Sequence, residues 1–127
     1  MLTVLPVNSA DELCKIFNKS GFEYNQTSGC VVAKNGSEVL GKCLYYITDD
    51  RIIVLLLEPL DDIMLADGIL RSALHVADFR GITDAVYADT APVQLFKTLG
   101  FIKNSTEKSL LIEKLHESCC NCEKSDK

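Results

Sequence analysis

The sequence predicts an α+β fold, an α/β sandwich in which a mixed, mostly antiparallel sheet carries helices on both faces. Three observations predict it. The run Ile52-Ile53-Val54-Leu55-Leu56-Leu57 is apolar without alternation, so that strand is covered on both sides and lies in the sheet centre. A long helical stretch follows Pro59 and a further strand follows it, which makes a right-handed parallel crossover. The turn dipeptides Asn35-Gly36 and Asp49-Asp50 separate the preceding strands as antiparallel hairpins. The predicted order is β-α-β-β-β-α-β-α-β-β.

Each element has a local reason. Residues 2–7 read as a short strand. Ser9-Ala10-Asp11-Glu12 is a capping box, in which the serine hydroxyl accepts from a first-turn amide and the glutamate reaches back. Leu13, Ile16 and Phe17 share one face of the helix that follows, and Gly21 stops it. Residues 22–29 read as loop, 30–34 and 39–48 as a strand pair, and 51–58 as the central strand. The long helix ends near Arg80-Gly81 and buries a stripe of Ile63, Ala66, Leu70, Ala73, Leu74 and Ala77. Residues 82–88 form the next strand. Pro92 opens a short helix that Gly100 closes. Residues 101–103 and 109–115 are the last two strands, around the turn Asn104-Ser105-Thr106-Glu107.

Composition bounds the function. The chain has 127 residues, enough for one domain with its own core. The domain is expected over residues 1–115, with a polar, cysteine-rich tail at 116–127. A net charge of -5 argues against a general nucleic-acid binder and against a surface drawn to anionic lipid. The first residues show no signal-peptide pattern and no run is long enough to span a membrane. A cytoplasmic protein is therefore expected, with its six cysteines as thiols.

Two segments carry a family resemblance. Ile69-Leu70-Arg71-Ser72-Ala73-Leu74-His75-Val76-Ala77-Asp78-Phe79-Arg80-Gly81 resembles the helix that follows the cofactor loop in the GNAT superfamily of acetyltransferases. Pro92-Val93-Gln94-Leu95-Phe96-Lys97-Thr98-Leu99-Gly100-Phe101 resembles that family's final helix, which runs into a Gly-Phe pair. With the strand order, the resemblance covers residues 2–115, although one early helix stands where the family usually has two. It implies a cleft where two parallel strands, about 52–58 and 84–88, splay apart to admit acetyl-CoA. The pantetheine arm would lie along the backbone of Leu55, Leu56 and Leu57, and the pyrophosphate near Ala66, Asp67 and Gly68. The implied reaction is acetyl transfer to an amine of a small molecule or peptide. Glu58 is the candidate general base, and Phe96 stands where the family often has the tyrosine that protonates the leaving thiolate.

The cofactor loop departs from the family's Gln/Arg-x-x-Gly-x-Gly/Ala. Counting back from Gly81 places Asp61, Met64 and Ala66 at its key positions; counting from Pro59 places Asp62, Leu65 and Asp67 there. Glycines let several amides converge on a phosphate. Asp61-Asp62-Ile63-Met64-Leu65-Ala66 instead suits an extra helical turn with an aspartate N-cap, so the helix is expected to begin near Asp62. Glu58, Asp61, Asp62 and Asp67 also gather negative charge where an anion would sit. One carboxylate about 5 Å from a phosphate charge costs roughly 1 kcal/mol in water and about 3 at an effective dielectric of 20. The same aspartates equally suit a capping role at the positive helix end.

The remaining candidates have structural readings beside functional ones. Tyr45, Tyr46 and Tyr87 either line an acceptor pocket or belong to the core, and adjacent Tyr45 and Tyr46 point to opposite faces. Asp89 could cap the helix begun by Pro92. His75 reads as a surface or packing residue, and Cys14, Cys30 and Cys43 as buried small hydrophobes. The tail pattern of His116, Cys119, Cys120 and Cys122 is a mobile thiol segment, a zinc site or a redox pair. Three classes of function follow: N-acetyl transfer with an altered phosphate loop, a non-catalytic binding module of the same fold, and a tail-borne metal or thiol response. Exposed edge strands also lead to the expectation of a sheet-mediated homodimer.

Overall fold

Strand β4 (Arg51–Glu58) occupies the middle of a seven-stranded sheet in the computed structural model, which describes residues 2–104, 106 and 108–112. The other elements are β1 (Leu2–Pro6), α1 (Ala10–Ser20), β2 (Ser28–Asn35), β3 (Glu38–Ile47), α2 (Ile63–Phe79), β5 (Asp84–Tyr87), α3 (Val93–Leu99), β6 (Ile102–Asn104) and β7 (Ser109–Leu110). Their order along the chain is the predicted one. Across the sheet the order is β1-β2-β3-β4-β5-β7-β6. Among the described residues β4 and β5 form the single parallel pair, and every other pair is antiparallel.

The two faces have separate cores. Ile52, Val54 and Leu57 of β4 pack with Ile69, Leu70, Ala73 and Leu74 of α2 and with Leu95, Phe96 and Leu99 of α3. Leu55 packs on the opposite face with Phe17 of α1, Cys30 and Leu44. Ser9 caps α1 by accepting from the Glu12 amide, and Gly21 ends it.

Several boundaries differ from expectation. Ile63, assigned to the buried stripe, is 48% exposed, while Ile69 is fully buried. Ile63 is the first residue of α2, and the buried stripe starts one turn later, at Ala66. β5 covers only Asp84–Tyr87 of the expected 82–88, the residues that pair with Arg51–Val54 of β4. β7 stops at Leu110, where residues 109–115 were expected, and 113–115 lie outside the described residues. The last strand also inserts between β5 and β6, a placement no local pattern signals.

Gly41 is required by close approach. A Cβ there would lie 2.5 Å from the Glu58 carbonyl oxygen and 2.8 Å from the Ile69 side chain. Gly41→Ala is therefore expected to destabilise the fold by about 1–3 kcal/mol in urea unfolding. An unchanged midpoint would show that the end of β4 yields freely.

The core thiols set a second expectation. Burial raises the Cys30 thiol to about 12, against opposing effects of Lys42 and a backbone hydrogen bond. Burial likewise pushes up Cys43, and raises the Tyr45 phenol to about 12. The unfolded chain releases these protons at lower pH than the native state does. The stabilisation is complete below the ordinary thiol value of 9.0 and is lost as pH rises toward about 12. Thermal midpoints should fall progressively above that lower limit, and a flat alkaline profile would contradict the buried thiols.

Candidate functional site

The parallel ladder between β4 and β5 ends at Val54↔Tyr87. Beyond it, β4 continues through residues 55–58 without a β5 partner, so the strands part at their carboxyl ends. A bulge accompanies the parting. On β3, Leu44 opposes Leu56 and Tyr45 opposes Val54, which leaves Leu55 as the extra residue. The bulge turns consecutive carbonyls toward the same edge. Val54 O accepts from the Ala88 amide at 2.9 Å, and Leu55 O accepts from Thr90 Oγ1 at 2.8 Å. The neighbouring surface, between the start of α2 and α3, is a hollow of ≈ 270 Å³ lined by Leu60, Ile63, Pro92, Gln94, Leu95 and Thr98.

The start of α2 shows why this hollow differs from a phosphate site. Asp62 is the N-cap, and its Oδ1 accepts from the Leu65 amide at 3.1 Å. The helix therefore starts where the aspartate predicts, with no glycine loop before it. One of the amides that could meet an anion is already used, and a carboxylate holds it. Ala66 is fully buried against the sheet. Asp67 is paired with Arg71 at 2.8 Å within the helix. Gly68 lies in the second turn beside a separate apolar groove that includes Leu2, Leu40 and Met64.

Glu58 sits at the end of β4, where alternation puts it on the α1 face, since Leu57 packs under α2. Its carboxylate is half exposed and lies 3.3 Å from Lys42 Nζ on β3. Phe96 is fully buried and packs on Tyr87, with ring centroids 5.4 Å apart. The structure does not bring Phe96 and Glu58 to one open surface. Tyr45 and Tyr46 belong to opposite core clusters. The Tyr46 hydroxyl donates to the Glu23 carbonyl, and its pKa is raised by burial and by the Glu23 charge. Asp89 does not cap α3, because its carboxylate pairs with Lys108 and Pro92 stands at the cap. Cys30 and Cys43 are buried, whereas Cys14 is only partly covered. His75 is exposed on α2. His116, Cys119, Cys120 and Cys122 lie outside the described residues; among those described, no cluster of metal-ligating side chains occurs. No helix among the described residues is long and apolar enough to cross a membrane.

Sequence reasoning missed the Leu55 bulge and the Thr90 contact. A bulge leaves no residue signature inside an all-apolar run, and Thr90 meets β4 across 35 residues of sequence. The burial of Phe96 generates an expectation. Phe96→Tyr would place a hydroxyl in a closed apolar site and should cost about 1–3 kcal/mol in stability. A gain in thermal midpoint would mean that a partner for the hydroxyl is within reach.

No protein-family model matches the sequence, and no curated protein does. Solved structures do share its architecture. A GNAT-family acetyltransferase, SP0256 from Streptococcus pneumoniae TIGR4, superposes with a TM-score of 0.55 at 16% identity, covering 84% of this chain and 91% of that one. The putative N-acetyl transferase YhhK from E. coli, whose solution NMR structure is bound to coenzyme A, gives 0.51 at 14% identity, covering 82% and 93%. At such identities the likeness speaks for the fold alone: this chain has the GNAT fold.

Proposed function

We propose that the protein is an N-acetyltransferase of the GNAT type that engages acetyl-CoA weakly and takes an amine of a small molecule or peptide as acceptor. The observation that carries this reading is the end of the β4–β5 ladder at Val54↔Tyr87, beside the Leu55 bulge. That opening leaves the β4 edge at Leu56 and Leu57 available to an extended arm, although Thr90 already takes the Leu55 carbonyl. The thioester arm of a CoA molecule fits such an edge. Its pyrophosphate does not fit the start of α2, where Asp62 holds an amide and Asp61 adds charge.

Bound acetyl-CoA would supply the activated acetyl group. The chain's own contribution is positional. Glu58 presents a carboxylate at the strand end that can accept a proton from an ammonium or a tetrahedral adduct. Lys42 holds that carboxylate in place on the α1 face. YhhK is solved bound to coenzyme A, which supports the choice of cofactor.

A second reading, a non-catalytic module of the same fold, is favoured by the Asp62 cap itself. Calorimetric titration with acetyl-CoA separates the two. Asp62→Asn keeps a capping side chain and removes its charge. The enzyme reading predicts weak saturable binding to the native chain. It predicts roughly fivefold tighter binding to Asp62→Asn, as expected for about 1 kcal/mol of relieved repulsion. Glu58→Gln should then lower turnover of an acetylated amine by roughly 100-fold without changing that affinity. Absence of saturable binding by both proteins at millimolar acetyl-CoA would overturn the acetyltransferase reading.

A further inference from the structure

A different part of the molecule carries a concave site that neither the fold nor the cleft accounts for. The groove, ≈ 830 Å³, lies between the C-terminal half of α2 and the outer strands β1, β2 and β3. Binding sites for small organic molecules are typically about 300–1,000 Å³, mostly apolar, with a few convergent polar groups. The walls here are Val4, Leu13, Ile47, Val76 and Phe79. Phe79 is 92% exposed, a large aromatic surface left to water at the groove's edge.

The polar side chains on the groove are Asn8, Ser28, Tyr45, Ser72, His75 and Arg80, and no Asp or Glu lines it among the described residues. That is unusual in a chain of net charge -5. Tyr45 is 3% exposed, yet no hydrogen-bond partner for its hydroxyl is present among the described residues. The hydroxyl is not sealed off, since the buried side-chain polar atom left unpartnered among the described residues is Ser109 Oγ; the Tyr45 hydroxyl faces the groove and is free to donate to a ligand acceptor there. The ring packs over Gly29, where a Cβ would lie 2.3 Å from it, so only glycine leaves space for Tyr45 at this end of the groove. Burial keeps the phenol protonated, so it is a donor at neutral pH, and Arg80 is close enough for its charge to act on it. No ion pair to Arg80 occurs among the described residues.

We infer that this groove is a binding site for a small organic monocarboxylate with an aromatic or aliphatic body, its carboxylate held by Arg80 and the Tyr45 hydroxyl and its body covered by Ile47, Val76 and Phe79. A planar guanidinium suits a carboxylate in two-point contact. The apolar walls read the rest of the molecule, which an inorganic anion lacks. The site lies by α2's last turns, whereas the cleft lies by its first, so it does not depend on the acetyl-transfer reading.

The test is an amide-resolved NMR titration of the whole chain with 3-phenylpropanoate, and in parallel with neutral 3-phenylpropanamide and with acetate. Saturable shifts at Ile47, Ser72 and Val76 are expected for 3-phenylpropanoate. Arg80→Gln should weaken its binding roughly tenfold, and Tyr45→Phe roughly fivefold, with native spectra retained. The amide should bind several-fold more weakly, and acetate more weakly again. Equal affinity for the amide, equal affinity for acetate, an unchanged Arg80→Gln, or no saturable shift at these residues would each overturn the assignment. If Tyr45→Phe fails to give a native spectrum, the Arg80→Gln and amide comparisons still decide it.

Discussion

Burial of β4 from both sides is the constraint on which the rest of the structure depends. Ile52, Val54 and Leu57 close against α2 and α3, while Leu55 closes against Phe17 and Leu44 on the other face. A strand with two apolar faces has no stable place at an edge, so the sheet must extend on either side of it and helices must cover both faces. The hairpins β2–β3 and β3–β4 build one flank, and the α2 crossover brings β5 to the other. The same burial locates the cleft. β4 runs longer than β5, and the bulge at Leu55 turns its backbone outward just where the partner ends.

Competition for the first turn of α2 shapes what that cleft can do. The helix needs its leading amides satisfied, and an anion bound there would need the same groups. Asp62 resolves the competition in favour of the helix, with Asp67 and Arg71 paired one turn further on. Negative charge thus gathers at one end of α2. Near the other end, Arg80 and His75 stand with the Tyr45 hydroxyl beside a groove that lacks carboxylates. Both ends of one helix are therefore chemically distinct, and a net charge cannot express that difference.

Legibility in the sequence followed the range of the interactions. The capping serine, the capping aspartate and the turn at Asn35-Gly36 act over a few residues, and all were readable. The inward stripe of α2 was readable from its period except at Ile63, which opens the helix and stays exposed. Phe96 and Tyr87 illustrate the limit. Each is an aromatic at a suggestive position, but only their mutual packing shows that Phe96 is closed to solvent.

The sequence by itself determined the element order, the centrality of β4, the helix start at Asp62 and the absence of a glycine phosphate loop. These follow from periodicity and from contacts between residues close in the chain. Tertiary structure alone decided the insertion of β7 between β5 and β6, the Thr90 contact with Leu55, and the meeting of Tyr45 with α2. Those features join segments far apart in sequence. Their geometry depends on how the whole sheet twists and where each strand stops, quantities that no local residue pattern encodes.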